Sequence, residues 1–247
     1  MNPSTNSTIK PYNDVDAKKN QVTTMFDKIA PYYDFLNKIL SAGVDGFWRR
    51  KAIASLTGVG TDNWLDIATG TADLAIESAI QFKPKAIIGM DISPNMLEIG
   101  RKKIENKALT SIITLEVGDS EALRFSDGSF DVVTASFGVR NFENLQKGLS
   151  EMFRVLKNGG KVMILEFSRP TRFPIKNLFQ IYFKYLLPVI GRIKSKDQKA
   201  YTYLYESVQS FPDYERFASI LQDTGFIKVT FKPLTFGICT IYLAEKK

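Results

Sequence analysis

The sequence contains no histidine and a single cysteine, Cys239, in 247 residues. Without histidine there can be no Ser-His-Asp triad, no Cys-His pair and no zinc site of the H-E-x-x-H type. One cysteine excludes an internal disulfide and a cysteine-rich zinc site, and we expect no metal centre. Any chemistry must therefore run on carboxylates, phenols, amides, guanidinium groups or a cofactor.

The sequence also lacks a long apolar run. No stretch reaches the ~18 apolar residues of a membrane span, and the polar residues 1–20 do not have the pattern of a signal peptide. We expect these residues to form a flexible tail and residues 21–247 to form a single domain. The expected location is the cytoplasm, with room for peripheral contact at the inner face of a membrane.

Positive charge is concentrated in one segment of an otherwise balanced chain. The net charge is +7, and residues 169–199 hold eight lysines and arginines against one aspartate, which accounts for the whole excess. Within this segment, residues 175–187 place aromatic and aliphatic side chains on one helical stripe and basic side chains on another. This pattern is typical of a helix at a membrane surface. A lid helix packed on the core, with solvated lysines, is the alternative, and one helix can serve as both.

Short apolar strands alternate with helices over residues 63–167. Continuous apolar strands in such an alternation predict a parallel, doubly wound α/β sheet. Residues 21–57 are predicted to form a helical cap, in which Pro31 separates two short helices, and residues 169–210 a helical insertion. Two strands predicted at 226–232 and 237–244 close the chain as an antiparallel pair.

A turn of small residues follows the first predicted strand and precedes a helix. It contains Asp66, Gly70 and Thr71, and its small side chains let a ligand lie against the backbone. The turn has no lysine or arginine to meet a pyrophosphate, and it lacks the G-x-G-x-x-G pattern of dinucleotide-binding proteins. We therefore expect a cofactor without phosphates, such as S-adenosylmethionine (SAM). A generic strand–helix turn is the alternative, with Asp66 in a turn-capping role.

Polar side chains also follow the next three predicted strands. Asp91 ends the second strand, where a carboxylate can accept hydrogen bonds from both hydroxyls of a ribose. Asp119 and Ser120 follow the third strand and can reach an adenine amino group, although a helix N-cap is an alternative role. Residues 136–141, which begin at Ser136, follow the fourth strand and lie where the crevice of such a sheet is expected.

These segments together resemble the ubiquinone/menaquinone biosynthesis C-methyltransferase family, over roughly residues 22–247. The matching stretches are residues 25–34, 66–73, 91–97, 120–123, 136–141 and 165–168, together with Tyr201, Tyr203, Leu204, Glu206 and Ser207. The turn after the first strand is shared among SAM-dependent methyltransferases, whereas residues 137–141 and the region around Tyr201 are more specific. Thr69 and Ala72 stand where the family often has glycine, and we expect any backbone strain at Thr69.

The resemblance implies a Rossmann-like, SAM-dependent methyltransferase fold. The expected sheet is mostly parallel and seven-stranded with an antiparallel last strand, a helical N-terminal extension and a helical insertion that faces substrate or membrane. The resemblance also implies methylation of a ring carbon of a prenylated quinol, with SAM contacts at Thr71, Asp91, Asp119, Ser120 and Ser136. We take the reaction to be demethylmenaquinol to menaquinol, the last step of menaquinone biosynthesis. Methylation of the 2-polyprenyl-6-methoxy-1,4-benzoquinol of ubiquinone biosynthesis is the alternative.

A quinol carbon becomes a good nucleophile when a neighbouring hydroxyl loses its proton. The pKa of such a hydroxyl is near that of tyrosine, ~10, and a nearby cation lowers it. We predict that Arg140 stabilises the phenolate, that Asn141 orients it, and that Asp119 or Tyr201 accepts a proton. The structural alternatives are a salt bridge for Arg140, a helix cap for Asn141 and core packing for Tyr201.

Three other functions compete with this interpretation. A SAM enzyme for another small hydrophobic molecule, such as a sterol, fits the same motifs. The basic segment raises a nucleic-acid methyltransferase, but the fourth strand is not followed by an Asn/Asp-Pro-Pro-Tyr box, and one cysteine is too few for a two-cysteine cytosine-C5 mechanism. We therefore expect no nucleic-acid partner. A non-catalytic SAM-binding subunit is the third alternative, and a homodimer is left open.

Overall fold

The computed structural model describes residues 9–13, 15–41, 43–181 and 197–247. The helices are α1 (Lys18–Ile29), α2 (Tyr33–Leu40), α3 (Asp45–Ala54), α4 (Asp73–Phe82), α5 (Pro94–Asn106), α6 (Leu145–Val155), α7 (Ile175–Ile181), α8 (Gln198–Ser210) and α9 (Glu215–Thr224). The strands are β1 (Asn63–Ile67), β2 (Ala86–Asp91), β3 (Ile113–Val117), β4 (Phe130–Ser136), β5 (Leu156–Phe167), β6 (Ile227–Leu234) and β7 (Cys239–Glu245). The predicted helix over 175–187 begins at Ile175, and its part beyond residue 181 lies outside the described residues.

The seven strands form one sheet in the order β3-β2-β1-β4-β5-β7-β6. Strands β1 to β5 pair in parallel, and β7 is antiparallel to both of its neighbours. The predicted seven-stranded, mostly parallel sheet is therefore confirmed. In a sheet of this kind, ligands bind beyond the carboxyl ends of the parallel strands.

The sheet is buried between two apolar layers, as continuous apolar strands predict. One layer joins α1 and α3 to one face of the sheet, and its largest members include Met25, Trp48 and Trp64. The other layer lies under α6 and α9 and includes Leu149 and Phe217. Among the described residues, no helix combines the length and hydropathy needed to cross a membrane.

Residues 18–20 belong to α1, although the sequence placed them in a flexible tail. The backbone N–H of Lys18 donates to the Glu143 carboxylate over 2.8 Å, which satisfies one of the free donors at the helix start. The Lys18 ammonium is buried and donates to the Phe142 carbonyl oxygen over 3.0 Å. Burial lowers the pKa of Lys18 from 10.5 to about 8. A contact to a residue 125 positions away is what fixes this boundary, and no local pattern encodes it.

Strand β5 begins at Leu156, directly after the last residue of α6. Residues 156–160 turn through Gly159, whose φ is +75°, and the strand then pairs with β4 and β7. At its far end, Phe167 lies opposite Cys239 at the start of β7. Cys239 is fully buried, and burial raises the pKa of its thiol well above the ordinary value. The β6–β7 turn therefore lies at the same edge of the sheet as the carboxyl end of β5.

Candidate active site

The loop from β1 to α4 has an unusual backbone that brings it close to β2. Ala68, Gly70 and Ala72 have φ of 52°, 56° and 65°, whereas Thr69 has a negative φ. The strain expected at Thr69 is thus found at Ala72 and Ala68, and each such alanine costs about 1–2 kcal/mol. At Gly70 a side chain would point toward the Met96 methyl group, since a Cβ there would lie 3.2 Å from Met96 Cε. Because Gly70 has no side chain, the space between its backbone and Met96 stays open to a ligand.

Asp91 holds this loop at the end of β2. Its Oδ2 accepts the Gly70 N–H over 2.9 Å, and its Oδ1 accepts the Ser93 N–H over 2.9 Å. Burial raises the pKa of Asp91 to about 6, against the effect of these amide bonds. A carboxylate has about four acceptor positions, and the Ile92 amide also interacts with this one, so only part of its capacity is used. Asp91 can therefore still accept hydrogen bonds from a ligand with neighbouring hydroxyls.

A cavity opens beside Gly70 and Asp91. Among the sequence-predicted residues, those that line the cavity are Gly70, Asp91, Asp119, Ser120 and Asn141. Apolar and aromatic side chains complete the wall, and they include Phe26, Tyr33, Met90, Met96, Phe137 and Phe142. Gly70 of the predicted cofactor loop, Asp91, predicted to bind the ribose, and Asp119, predicted to bind the adenine, therefore line one cavity.

A lysine from α1 reaches into this cavity and pairs with Asp119. The Lys19 Nζ lies 2.7 Å from Asp119 Oδ2 and 3.4 Å from Glu121 Oε2. Asp119 Oδ1 accepts the Glu121 N–H over 2.9 Å. Sequence reasoning did not single out Lys19, because it fell within the predicted tail. Tyr33 and Phe26 were likewise not named, although both lie in the stretch 25–34 that carries the family resemblance.

Two predicted cofactor residues face away from the cavity and are already bonded. The Asp66 carboxylate is buried and accepts the hydroxyls of Thr69 and Thr134, each over 2.6 Å. Burial raises the pKa of Asp66 to about 6. The Thr71 hydroxyl donates to Asp34 over 2.8 Å. Asp66 therefore binds the loop to the sheet.

The cation near this loop comes from α5. Lys103 Nζ lies 2.8 Å from the Thr71 hydroxyl oxygen and 2.7 Å from Asp34 Oδ2. The positive charge of Lys103 is therefore bound to Thr71 and Asp34 and does not line the cavity. The third predicted cofactor residue outside the cavity wall, Ser136, is half-buried at the end of β4.

Arg140 forms a buried ion pair with Glu166 behind the cavity wall. Its Nη1 lies 2.7 Å from Glu166 Oε1, and the two side chains are 4% and 0% exposed. The guanidinium also stacks over the Phe167 ring at 5.4 Å. Burial raises the pKa of Glu166 above its ordinary value, and Arg140 opposes that effect. Arg140 Nε is buried with no hydrogen-bond partner among the described residues.

Asn141 is fixed by a tyrosine of α8. The Tyr203 hydroxyl donates to Asn141 Oδ1 over 3.1 Å, and burial raises the pKa of Tyr203 above its ordinary value. This hydrogen bond from a buried tyrosine fixes the orientation of the Asn141 side-chain amide. Tyr201 is also buried, but it belongs to the apolar core and does not line the cavity. The structure therefore joins Asn141, Asp119 and the cofactor loop around one space, with Arg140 behind them.

Comparison with known proteins extends this description. Residues 14–246 match the model of the ubiE/COQ5 methyltransferase family. The demethylmenaquinone methyltransferase of Bacteroides fragilis ATCC 25285 is 47% identical over 96% of this chain and 97% of its own length. The enzyme of the same name from Porphyromonas gingivalis is 42% identical over 96% and 98%. The ubiquinone/menaquinone biosynthesis C-methyltransferase of Geobacter sp. M21 is 45% identical over 93% and 97%.

Solved structures agree on the fold. A SAM-dependent methyltransferase from Thermotoga maritima superposes with a TM-score of 0.65 at 17% identity, covering 91% of this chain and 99% of its own. A phosphoethanolamine N-methyltransferase of Haemonchus contortus, solved with SAM, gives 0.57 at 18% identity over 80% of this chain and 52% of its own. At such identities the likeness establishes the Rossmann-like methyltransferase architecture alone.

Proposed function

The chain belongs to the ubiE/COQ5 methyltransferase family, and we propose that it methylates a ring carbon of demethylmenaquinol to give menaquinol, the last step of menaquinone biosynthesis. The protein is a methyltransferase, and its relatives from B. fragilis and P. gingivalis are named for this reaction. These names favour the menaquinone reaction over its ubiquinone counterpart, which the family also includes.

The single observation that carries cofactor binding is the Asp91 carboxylate beside the bare backbone of Gly70. Its spare acceptor positions suit the two hydroxyls of a ribose. The lysine that lines the cavity, Lys19, is already paired with Asp119 and Glu121, which suits a nucleoside without phosphates. In this proposal Asp119 and Ser120 hold the adenine, and Gly70 leaves room for the amino-acid end of SAM. Asp66 and Thr71 hold the loop from outside the cavity, and Ser136 ends β4.

When bound, SAM supplies an electrophilic methyl group on a sulfonium. The chain must then hold the quinol ring in line with that group, exclude water and favour the phenolate. Phe26, Phe137 and Phe142 give the cavity an apolar wall for the ring. Asn141, oriented by Tyr203, directs its amide toward the quinol oxygen.

Arg140 acts on the phenolate through its charge. Its Nε–H is buried without a partner among the described residues, and Arg140 does not line the cavity, so it acts on the phenolate from behind the wall and not by a direct hydrogen bond. The pairing with Glu166 fixes the guanidinium in place. Because Asp119 holds the adenine in this proposal, it does not also accept the quinol proton, and Tyr201 supports α8 from the core.

The proposal is tested by methyl transfer from SAM to demethylmenaquinone in its reduced and oxidised forms. We expect methylation of the reduced ring only, since the quinone has no phenolate to donate electrons to the carbon. Equal rates on both forms would contradict the mechanism. A higher rate on 2-polyprenyl-6-methoxy-1,4-benzoquinol than on demethylmenaquinol would assign the chain to the ubiquinone reaction instead.

A prenylated quinol is carried by a bilayer, and we propose that the protein meets it as a peripheral protein at the inner face of the membrane. The basic segment 169–199 supports this contact through the residues described, 169–181 and 197–199. A homodimer is the remaining proposal on partners, and sedimentation at several protein concentrations tests it.

A further inference from the structure

Large apolar side chains are exposed beside β5 and β7. Phe173 and Phe236 are 82% and 77% exposed, and Leu178 and Ile181 of α7 are more than half exposed. The two phenylalanines line the same open groove. Exposed aromatic rings that line one groove in this way mark interaction surfaces. Because Phe236 lies in the β6–β7 turn, this surface extends beyond the basic segment.

The turn that carries Phe236 is strained and firmly held. Thr235, Phe236 and Gly237 have φ of 45°, 58° and 90°, a conformation that only glycine adopts without cost. The Trp48 indole donates to the Thr235 hydroxyl oxygen over 2.7 Å, and the Tyr214 hydroxyl donates to the Gly237 carbonyl oxygen over 2.9 Å. The buried anchors thus hold an aromatic ring out in solvent, and backbone strain of this kind is found at functional sites.

A cleft between α7 and α8 adjoins this groove, since Thr171 and Tyr214 line both. Lys176 and Arg169 line it together with a single carboxylate, Asp213. Arg169 gives three of its five N–H donors to Asp213 and to the Gln209 carbonyl oxygen, and two remain. The cleft therefore carries a net positive charge.

Two further donors of the cleft have no partner within the part of the chain that the structure describes. The Gln209 side-chain nitrogen is buried without a hydrogen-bond partner, and the Lys176 ammonium has no ion pair among the described residues. Free donors with a net positive charge suit an anion that has several acceptor oxygens, such as a phosphodiester. Apolar rings at the rim suit hydrocarbon. An anionic phospholipid has both parts.

We propose that this face docks on a bilayer, with Phe236 and Leu178 entering the hydrocarbon boundary and the cleft at Lys176 holding the phosphate of an anionic phospholipid headgroup. The inference rests on the proposed function in one respect, since a prenylated substrate resides in the bilayer. The β6–β7 turn and the cofactor cavity share one edge of the sheet, so docking would turn that edge toward the lipid.

The test is co-sedimentation with vesicles of phosphatidylcholine, alone or mixed with phosphatidylglycerol. Phe236→Asn removes the ring and relaxes the strained φ, because asparagine tolerates this region. Leu178→Gln keeps helix propensity. We expect each variant to weaken binding to both vesicle types by about tenfold. Ile80 is an exposed apolar residue near the C-terminal end of α4. Ile80→Gln is the matched control, and this variant should bind vesicles as the wild type does.

The headgroup site is tested by two variants: Lys176→Gln removes a positive charge, and Gln209→Met removes an unpartnered hydrogen-bond donor. We expect Lys176→Gln to lose about fivefold in binding to vesicles with phosphatidylglycerol and nothing with phosphatidylcholine alone. Gln209→Met should show the same selectivity, and Lys102→Gln on α5 should show no change. Equal binding by the wild type and the Phe236→Asn/Leu178→Gln variant would overturn the docking surface. A concentration-dependent dimer lost in Phe236→Asn would assign the surface to a second copy and overturn the lipid proposal.

Methylation of a short-tailed, water-soluble quinol without vesicles separates the two proposals. If this reaction proceeds at equal rates in wild type and Phe236→Asn while vesicle binding differs, docking stands independently of catalysis. If the reaction fails for every quinol while vesicles still bind through Phe236, the proposed function is wrong and the docking surface remains.

Discussion

Two layers of charge lie at the same edge of the sheet and differ in what their polar atoms touch. In the cavity wall, Asp91 has spare acceptor positions. In the layer behind the wall, the Asp66 carboxylate accepts hydrogen bonds from two threonine hydroxyls, and Arg140 forms an ion pair with Glu166. The pKa values of Asp66 and Asp91 are nevertheless both raised to about 6 by burial. Burial and a shifted pKa therefore do not distinguish a binding carboxylate from a structural one, whereas unused acceptor capacity beside a cavity does.

The largest expected effect tests whether the rear layer takes part in chemistry. Arg140→Gln should lower kcat by about 10²–10³ and change SAM affinity by less than about threefold, since a positive charge near the developing phenolate is lost. The variant also leaves Glu166 buried without its partner, which costs about 3 kcal/mol of stability. Arg140→Gln/Glu166→Gln should recover that stability without recovering kcat. Steady-state kinetics, calorimetry and thermal unfolding give the three readouts, and full recovery of kcat in the double variant would make the layer purely structural.

The next effect concerns the front layer. Asp91→Asn should weaken SAM binding by about 100-fold, because two charge-assisted hydrogen bonds to the ribose are lost. Calorimetric titration of the folded variant measures this change. Asp66→Asn is the matched control, and it should bind SAM within about threefold of the wild type. Similar losses in both variants would erase the distinction between the layers.

Stability against pH should separate Asp66 from its neighbours. Because burial raises its folded-state pKa from 3.8 to about 6, the folded protein holds this proton more tightly than the unfolded chain does. The stabilisation is complete below about pH 4 and is lost as the pH rises through 6. The free energy of unfolding of wild type minus that of Asp66→Asn should therefore fall by about 2 kcal/mol between pH 4 and pH 7. A constant difference in urea titrations at both values would contradict this.

Cofactor affinity should follow the protonation of Asp91. Burial raises its pKa to about 6, and ribose hydroxyls donate best to the charged carboxylate. SAM affinity should therefore drop by at most about tenfold per pH unit below 6. Titrations at pH 5 and pH 7 measure the change. Asp91→Asn should show no such slope, and a slope that persists in this variant would belong to another group.

The smallest effect concerns Lys19, which links α1 to the cavity wall. Its pair with Asp119 is partly exposed, at 28% and 32%, and such pairs contribute at most about 1 kcal/mol. Lys19→Met frees Asp119 for an adenine amino group and should tighten SAM binding by less than about fivefold. A large loss of affinity would instead make Lys19 a direct contact to the cofactor.

The sheet and its loops could be predicted because each strand is a short apolar run that ends in a polar turn. Asp91 and Gly70 follow from this pattern, since strand ends meet at one edge. The backbone conformation of Ala72 was harder to predict from the sequence, because its positive φ depends on how the loop closes against Asp91 rather than on residue type.

The N-terminal helices and α8 were harder to place for another reason. Lys18 and Lys19 are held by contacts to residues a hundred or more positions away, which no local pattern encodes. Tyr201 and Tyr203 stand two positions apart on α8, so they point to different sides of the helix. Only packing decides that Tyr203 meets Asn141 while Tyr201 joins the core.

The isolation of Cys239 makes the protein its own reporter of global opening. The thiol is the only one in 247 residues and is fully enclosed at the start of β7. An alkylating reagent can reach it only when β7 separates from its neighbours, so the labelling rate measures how often the sheet opens. Added SAM should lower the labelling rate in proportion to the fraction of protein that remains unbound. Ligand binding could thus be followed on the unmodified chain, with no dye or tag attached.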